Sequence, residues 1–221
     1  MAKRRISFLY RMLLIISLST GIILNVVVAS SVSAILSYYT LQSNIICLVF
    51  FIFVQILTVV KGNYQESDVY HLVKGCITIT ITITGLVYAI ALSPVGFNMH
   101  IDTNGPDKFM SDFLVHRLSP VLVIMDYFLF DKKGKFKLYY PIIWLIVPLN
   151  YLIYVYTYSA SGGEFLGVGG STKFAYIFLD YTKIGYNGVA WAIVLMIVFI
   201  LAISYLLVLV DRVIGSRGEH L

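Results

Sequence analysis

Six apolar stretches, each close to the length that crosses a bilayer, take up most of this 221-residue chain. A spanning helix needs about 20 mostly apolar residues. Segments at about 13–36, 41–60, 71–92, 114–130, 139–158 and 187–210 meet that requirement. Lipid offers no partners for backbone N–H and C=O groups, so each segment must close its hydrogen bonds internally as a helix. What remains is too short for a separate soluble domain. The expected fold is all-α: a polytopic membrane protein of six transmembrane helices forming one unit over residues 1–221. Composition agrees, with 59% hydrophobic and only 12% charged residues, against roughly 25% charged in soluble domains.

The opening "MAKRRISFLYRMLLIISLSTGIILNVVVAS" has basic residues ahead of an apolar run, as a signal peptide does. Its apolar run outlasts the roughly 7–15 residues of a signal core. It is therefore read as span one.

Orientation follows from the positive-inside bias. With the amino terminus inside, the inner segments hold Lys3, Arg4, Arg5, Arg11, Lys61, Lys74, Lys132, Lys133, Lys135, Lys137, Arg212 and Arg217, which is 12 of the 16 basic residues. The outer segments hold Lys108, Arg117, Lys173 and Lys183. Both termini are expected in the cytoplasm. Topology then accounts for the net charge of +5. The run "DKKGKFK" (131–137) reads as an inner anchor, with anionic lipid headgroups as the alternative partner, and no nucleic-acid partner is expected.

Motifs for bound groups are absent. Cys47 and Cys76 lie inside spans without paired spacing, so neither a disulfide nor a metal site is expected. The glycines of "GGEFLGVGGS" (162–171) lack the lysine of a phosphate loop and read as a pliable outer loop. No cofactor is expected. "CITITITITG" (76–85) alternates like a strand, but a lone strand in lipid leaves its backbone unsatisfied, so it must be helical. Its threonines then bond the preceding turn or pack against neighbouring helices.

Span four carries the unusual residues. "FLVHRLSPVLVIMDYFLFDKK" (113–133) holds His116, Pro120 and Asp126 within an apolar run. Pro120 has no N–H, so the His116 carbonyl loses its helical partner and a kink is expected. Asp126 lies about 15 Å further along the helix. It reads as a structural polar group, paired with an inner lysine such as Lys133, or alternatively as a proton relay. Span two also starts at the outer side, with "YYTLQSN" (38–44). Thr40 stands at its start, with Ser43 and Asn44 about one turn deeper. A hydroxyl, an imidazole and an amide can therefore meet at one depth. The simpler account is that Thr40 and Ser43 cap the helix.

"YYTLQSN", then "HRLSPVLVIMDYFLF", then "YIFLDYTKIGYNGV" (176–189) resemble, in order, motifs of the six-span family of androgen-induced protein and androgen-dependent TFPI-regulating protein, and more closely that family's bacterial relatives. The resemblance spans nearly the whole chain. Animal members are threonine hydrolases that cleave fatty acid esters of hydroxy fatty acids. It implies that Thr40 is the nucleophile and His116 the base, that the substrate is a membrane lipid or fatty acid ester, and that the protein sits in a bacterial plasma membrane. Asp112, one turn before His116, is a candidate to orient its ring if helix four starts that early. Asn44, Ser43 and Ser119 are candidates for support or for stabilising the oxyanion. Asp180 either shapes the mouth of the site or folds the outer loop. The rival expectation is a non-catalytic binder or a proton-coupled transporter using the same cavity.

Overall fold

The computed structural model describes residues 2–60, 64–92, 106–167 and 170–218. Helices dominate: α1 (Ala2–Val27), α2 (Val32–Leu36), α3 (Tyr39–Val60), α4 (Asp68–Val87), α5 (Pro106–Phe113), α6 (Ser119–Phe130), α7 (Tyr140–Trp144), α8 (Ile146–Ala160) and α9 (Tyr181–Gly218). A π-helical turn, Tyr88–Leu92, extends α4, and a second, Leu114–Leu118, joins α5 to α6. Six helical stretches are long and apolar enough to cross a membrane. This is an integral, multi-pass, all-α membrane protein.

Several boundaries differ from the sequence expectation, with the fourth span starting at Phe109 and the sixth running from Tyr181 to Ser216. The first span is α1 alone, starting near the amino terminus, and 32–36 forms the separate short helix α2. Ser31 separates them because its hydroxyl accepts from Ala34 N at 3.4 Å and caps α2. The described part of the glycine-rich segment includes extended chain. Strands β1 (Phe165–Gly167) and β2 (Gly170–Thr172) pair as an antiparallel hairpin. It is held because Phe165 is buried and the Tyr38 hydroxyl donates to the Leu166 carbonyl.

The threonine-rich stretch is helical, as lipid requires. Thr78 and Thr82 donate to the carbonyls of Lys74 and Thr78 at 2.8 and 2.6 Å, so their hydroxyls are satisfied within the helix. Packing in lipid depends on close backbone approach and hydrogen bonds, since the tails are as apolar as the helices. Gly75 lets α4 meet the Trp144 ring, where a Cβ would fall 2.1 Å from a ring carbon. Trp144 Nε1 in turn donates to Leu72 O at 2.9 Å. The α4 helix is thus the hub, packing on α3, α6, α7, α8 and α9. By contrast, α9 is mostly exposed on the outside of the bundle.

The crossings alternate in direction, so the described chain starts and finishes at one end of the bundle. Contacts across that end agree: Arg4 donates to Thr58 O, and Gly215 packs on the Gly134 backbone. Arg11 and Lys74 are buried here, not at the interface. Leaving them out of the charge count still gives ten inner basic residues to four outer ones. A cysteine replacing exposed Glu164 should react with an impermeant thiol reagent in intact cells, and one replacing exposed Lys135 should not. The reverse pattern would invert the orientation.

Candidate active site

The end of the bundle away from the termini gathers polar groups that a bilayer would otherwise exclude. Thr40, the second residue of α3, is 4% exposed, and His116 is 2% exposed. Thr40 Oγ1 lies 3.0 Å from His116 Nε2. Burying a hydroxyl and an imidazole without partners costs several kcal/mol, on the order of 2–7 for each, so their mutual contact is what makes the pair tolerable.

Backbone geometry brings the imidazole there. Pro120 cannot donate to the His116 carbonyl, and the chain answers with the π-helical turn Leu114–Leu118, in which Ser119 N bonds Leu114 O. A π turn carries an extra residue and rotates what precedes it. Gly85 on α4 accommodates the proline, since a Cβ there would meet Pro120 Cβ at 3.0 Å and the His116 carbonyl at 3.4 Å. The expected kink is therefore a local widening of the helix. The second π turn, Tyr88–Leu92, sits beside it.

Helix α5 begins at Pro106, so Asp112 lies on the helix one turn before His116. Asp112 Oδ1 is 2.9 Å from His116 Nδ1, with the carboxylate off the axis of the N–H bond so that no aligned hydrogen bond forms. Such contacts often tighten only when substrate binds. A carboxylate beside Nδ1 favours the tautomer with the proton there, leaving Nε2 to accept from Thr40. Tyr88 completes this side. Its ring stacks on His116 at 4.1 Å and 16°, and its hydroxyl donates to Asp112 Oδ2 at 2.5 Å. Arg117 points outward, 5.8 Å from the Tyr88 ring.

The other candidates have different roles. Asn44 Nδ2 donates to the carbonyls of Thr40 at 2.7 Å and Val115 at 3.1 Å. Both amide hydrogens are committed, so Asn44 ties α3 to the π turn and has none to offer an oxyanion. Ser43 Oγ bonds Thr40 O at 2.9 Å and Thr84 Oγ1 at 2.7 Å, joining α3 to α4 rather than capping α3. Ser119 Oγ is buried with no hydrogen-bond partner among the described residues. Asp180 Oδ1 accepts from Thr182 N at 3.0 Å and Thr182 Oγ1 at 2.5 Å, capping the start of α9. Five residues further, Gly185 (φ 72°) breaks α9 into two segments.

Asp126 is not paired with Lys133. It accepts from Arg11 Nε at 2.8 Å and from Lys74 Nζ. Asp131 lies 3.1 Å from Lys74 Nζ and 3.6 Å from Arg11 Nη2, and accepts from Tyr70 at 2.5 Å. Lys133 instead donates to the carbonyls of Tyr127 and Asp131, each at 2.7 Å. This four-charge cluster lies toward the terminal end, remote from Thr40.

Thr40 opens onto a cleft of about 100 Å³ walled by α4, α8 and α9. Its α9 wall, Ala192 to Ile200, runs about 12 Å along the helix. Apart from a few hydroxyls the lining is apolar, with Ile83, Val87, Leu149, Leu152 and Met196 beside the Phe178 ring. One hydroxyl was missed in the sequence: Tyr176, which shares the polar end with Thr40. Its phenol is within hydrogen-bonding reach of Thr40 and Tyr151, and burial pushes it up to about 12, so it keeps its proton at neutral pH. The ring is clamped by Phe178, stacked at 5.1 Å, and by Tyr38 at 6.1 Å.

Chemically, the arrangement is a buried hydroxyl against an imidazole, the imidazole against a carboxylate, and an apolar channel leading to the hydroxyl. Scans of protein-family models, curated proteins and solved structures return no match. The functional reading therefore stands on this geometry.

Proposed function

We propose that this chain is an intramembrane lipid-ester hydrolase in which Thr40 is the nucleophile, His116 the general base and Asp112 the group that orients the imidazole. The observation that supports it most is the 3.0 Å contact between Thr40 Oγ1 and His116 Nε2 at the head of an apolar cleft. An unassisted hydroxyl is a weak nucleophile near neutral pH, and an adjacent base corrects that. With an ester carbonyl against Thr40, Oγ1 attacks the carbon while its proton passes to Nε2. The imidazolium returns that proton to the leaving alcohol, and the acyl group stays on Thr40. Water then attacks the acyl carbon, giving its proton to Nε2. Collapse releases the carboxylic acid, and Thr40 regains its proton. Asp112 stabilises the imidazolium formed in each half.

The substrate class follows from the cleft. Its walls suit a fatty acyl chain lying along α9, with the ester carbonyl at the polar end. A lipid substrate would enter sideways past α9, which forms one wall of the cleft. In the expected orientation that route opens from the outer leaflet of a bacterial plasma membrane. A fatty acid ester of a hydroxy fatty acid, which the family resemblance implies, belongs to this class. A proton-coupled carrier would need an ionisable group free to change partners in the cavity. Asp126 is held by Arg11 and Lys74 and so does not supply that group.

An activated lipid phosphonate tests it. Purified protein should form one adduct, mapped by peptide mass to Thr40, and His116→Ala should slow its formation about 100-fold or more. Wild-type protein that forms no Thr40 adduct and cleaves no long-chain ester would end the assignment.

A further inference from the structure

Esterolysis by Thr40 and His116 leaves one demand unmet. As Oγ1 attacks, the carbonyl electron pair moves onto oxygen, and in a water-poor cleft that negative charge needs a donor already in place. Asn44, the amide at the right depth, has both hydrogens committed to carbonyls. Tyr88 faces the other side of the imidazole and gives its proton to Asp112. Backbone N–H groups nearby are largely absorbed in the first turn of α3, where Leu41 N and Gln42 N both bond Tyr38 O at 3.1 Å.

We propose that the Tyr176 phenol is the oxyanion donor of this site. The inference rests on the hydrolase reading and adds to it the residue that stabilises the transition state. Three observations carry it. Tyr176 and Thr40 line the same polar end of the cleft, where the ester must sit. The phenol reaches Thr40 itself; the oxyanion is borne by the carbon that Oγ1 attacks, so a donor already at Oγ1 needs only a small turn to meet it. The ring is fixed from several sides, by Phe178, Tyr38 and Tyr151. Its backbone is fixed too, because the 3₁₀ turn Ile177–Leu179 is tied to α8 by the Tyr156 hydroxyl donating to Leu179 O at 2.9 Å. Such preorganisation is what an oxyanion donor requires.

The step changes no bond of Tyr176. With the Thr40 proton turned to Nε2, as attack requires, the phenol O–H is the donor left to the contact between the two hydroxyls. On attack the Oγ1–carbon bond forms, the proton moves to Nε2, and the phenol O–H donates to the new oxyanion. When the intermediate collapses and the alcohol departs with the proton from Nε2, the phenol is released. It remains protonated throughout.

The test is Tyr176→Phe, which keeps the ring and removes only the hydroxyl. On a long-chain ester, kcat should fall about 100-fold, with KM within about threefold. A trifluoromethyl ketone with the same acyl chain forms a tetrahedral adduct carrying the oxyanion, so its affinity should fall in parallel with kcat. A non-hydrolysable ether analogue, lacking a carbonyl, should bind the variant as well as the wild type. A purely structural role would weaken all ligands together and lower thermal stability. Unchanged kcat in Tyr176→Phe, with wild type active and labelled at Thr40, would overturn this proposal and leave the hydrolase reading standing. An inactive, unlabelled wild type would remove both.

Discussion

Thr40→Ala and His116→Ala are each expected to reduce long-chain ester hydrolysis by about 1,000-fold, and the double variant to be little worse than either single one. Thr40 supplies the attacking oxygen, and His116 accepts its proton across the 3.0 Å contact. Without the base the hydroxyl is inert, and without the hydroxyl the base has nothing to activate. Groups that act as one unit lose their effects non-additively. Thr40→Ser keeps a hydroxyl and should retain partial activity. Asp112→Asn leaves both reacting groups in place but withdraws the charge beside Nδ1, so it should lower kcat while Thr40 still labels slowly with phosphonate. All five variants should purify as monodisperse protein. Steady-state rates on purified protein decide the matter. Full activity in both alanine variants would end the role assigned to this pair.

Much of this architecture was readable from the sequence because the bilayer leaves few options. Any run of about 20 apolar residues must be a helix, and that alone converts "CITITITITG" from an apparent strand into the middle of α4. The shared depth of Thr40 and His116 followed from counting crossings and basic residues. Their pairing was an expectation of the family resemblance, since hydropathy alone says nothing about which spans are neighbours; the structure has the contact at 3.0 Å. Asp112 was legible only as a condition on where the fourth helix begins. The segment Pro106–Phe113 is polar on average, so hydropathy does not extend the fourth span back through it, and the start at Pro106 is a result of the structure.

Tyr88 and Tyr176 were not legible as site residues. The chain has 17 tyrosines, and most read as interfacial or packing aromatics. A usable signal existed in principle: a buried tyrosine hydroxyl normally finds a partner, so tyrosines near the depth of a buried His are worth testing against it. The cation positions misled for a related reason. Arg11 and Lys74 counted as inner anchors because charge-bias rules register where a residue falls along the chain, and not which way it faces. Lys74 lies six residues into the third span, and charged residues within spans usually turn inward and pair. Asp126 on the fourth span and Asp131 just past its end were the partners.

That buried cluster makes the largest stability prediction. Arg11, Lys74, Asp126 and Asp131 are together electrically neutral and almost wholly enclosed, with exposures of 1%, 0%, 0% and 5%. They join the first, third and fourth spans, and Tyr70 and Tyr64 supply further bonds, to Asp131 at 2.5 Å and from Arg11 at 2.6 Å. Removing one member strands a charge in a medium that cannot solvate it, and breaking a buried pair in this way costs roughly 3–5 kcal/mol. Lys74→Met should therefore lower the unfolding transition sharply by leaving two carboxylates to one guanidinium. Asp126→Leu should do the same with the opposite sign of excess charge. Their combination restores neutrality, with Arg11 facing Asp131. Replacing a buried ion pair by apolar side chains of similar size is often close to neutral, so the double variant should recover most of the stability lost by either single one. Turnover per folded molecule should change little in all three, since Asp126 lies ten residues past His116, about 15 Å along the helix. Thermal unfolding in detergent, paired with active-site titration by phosphonate, reads both quantities. A double variant as unstable as the two single losses added together would show that the cluster is not held by charge balance. Loss of turnover at full stability in Asp126→Leu would instead make Asp126 part of the chemistry.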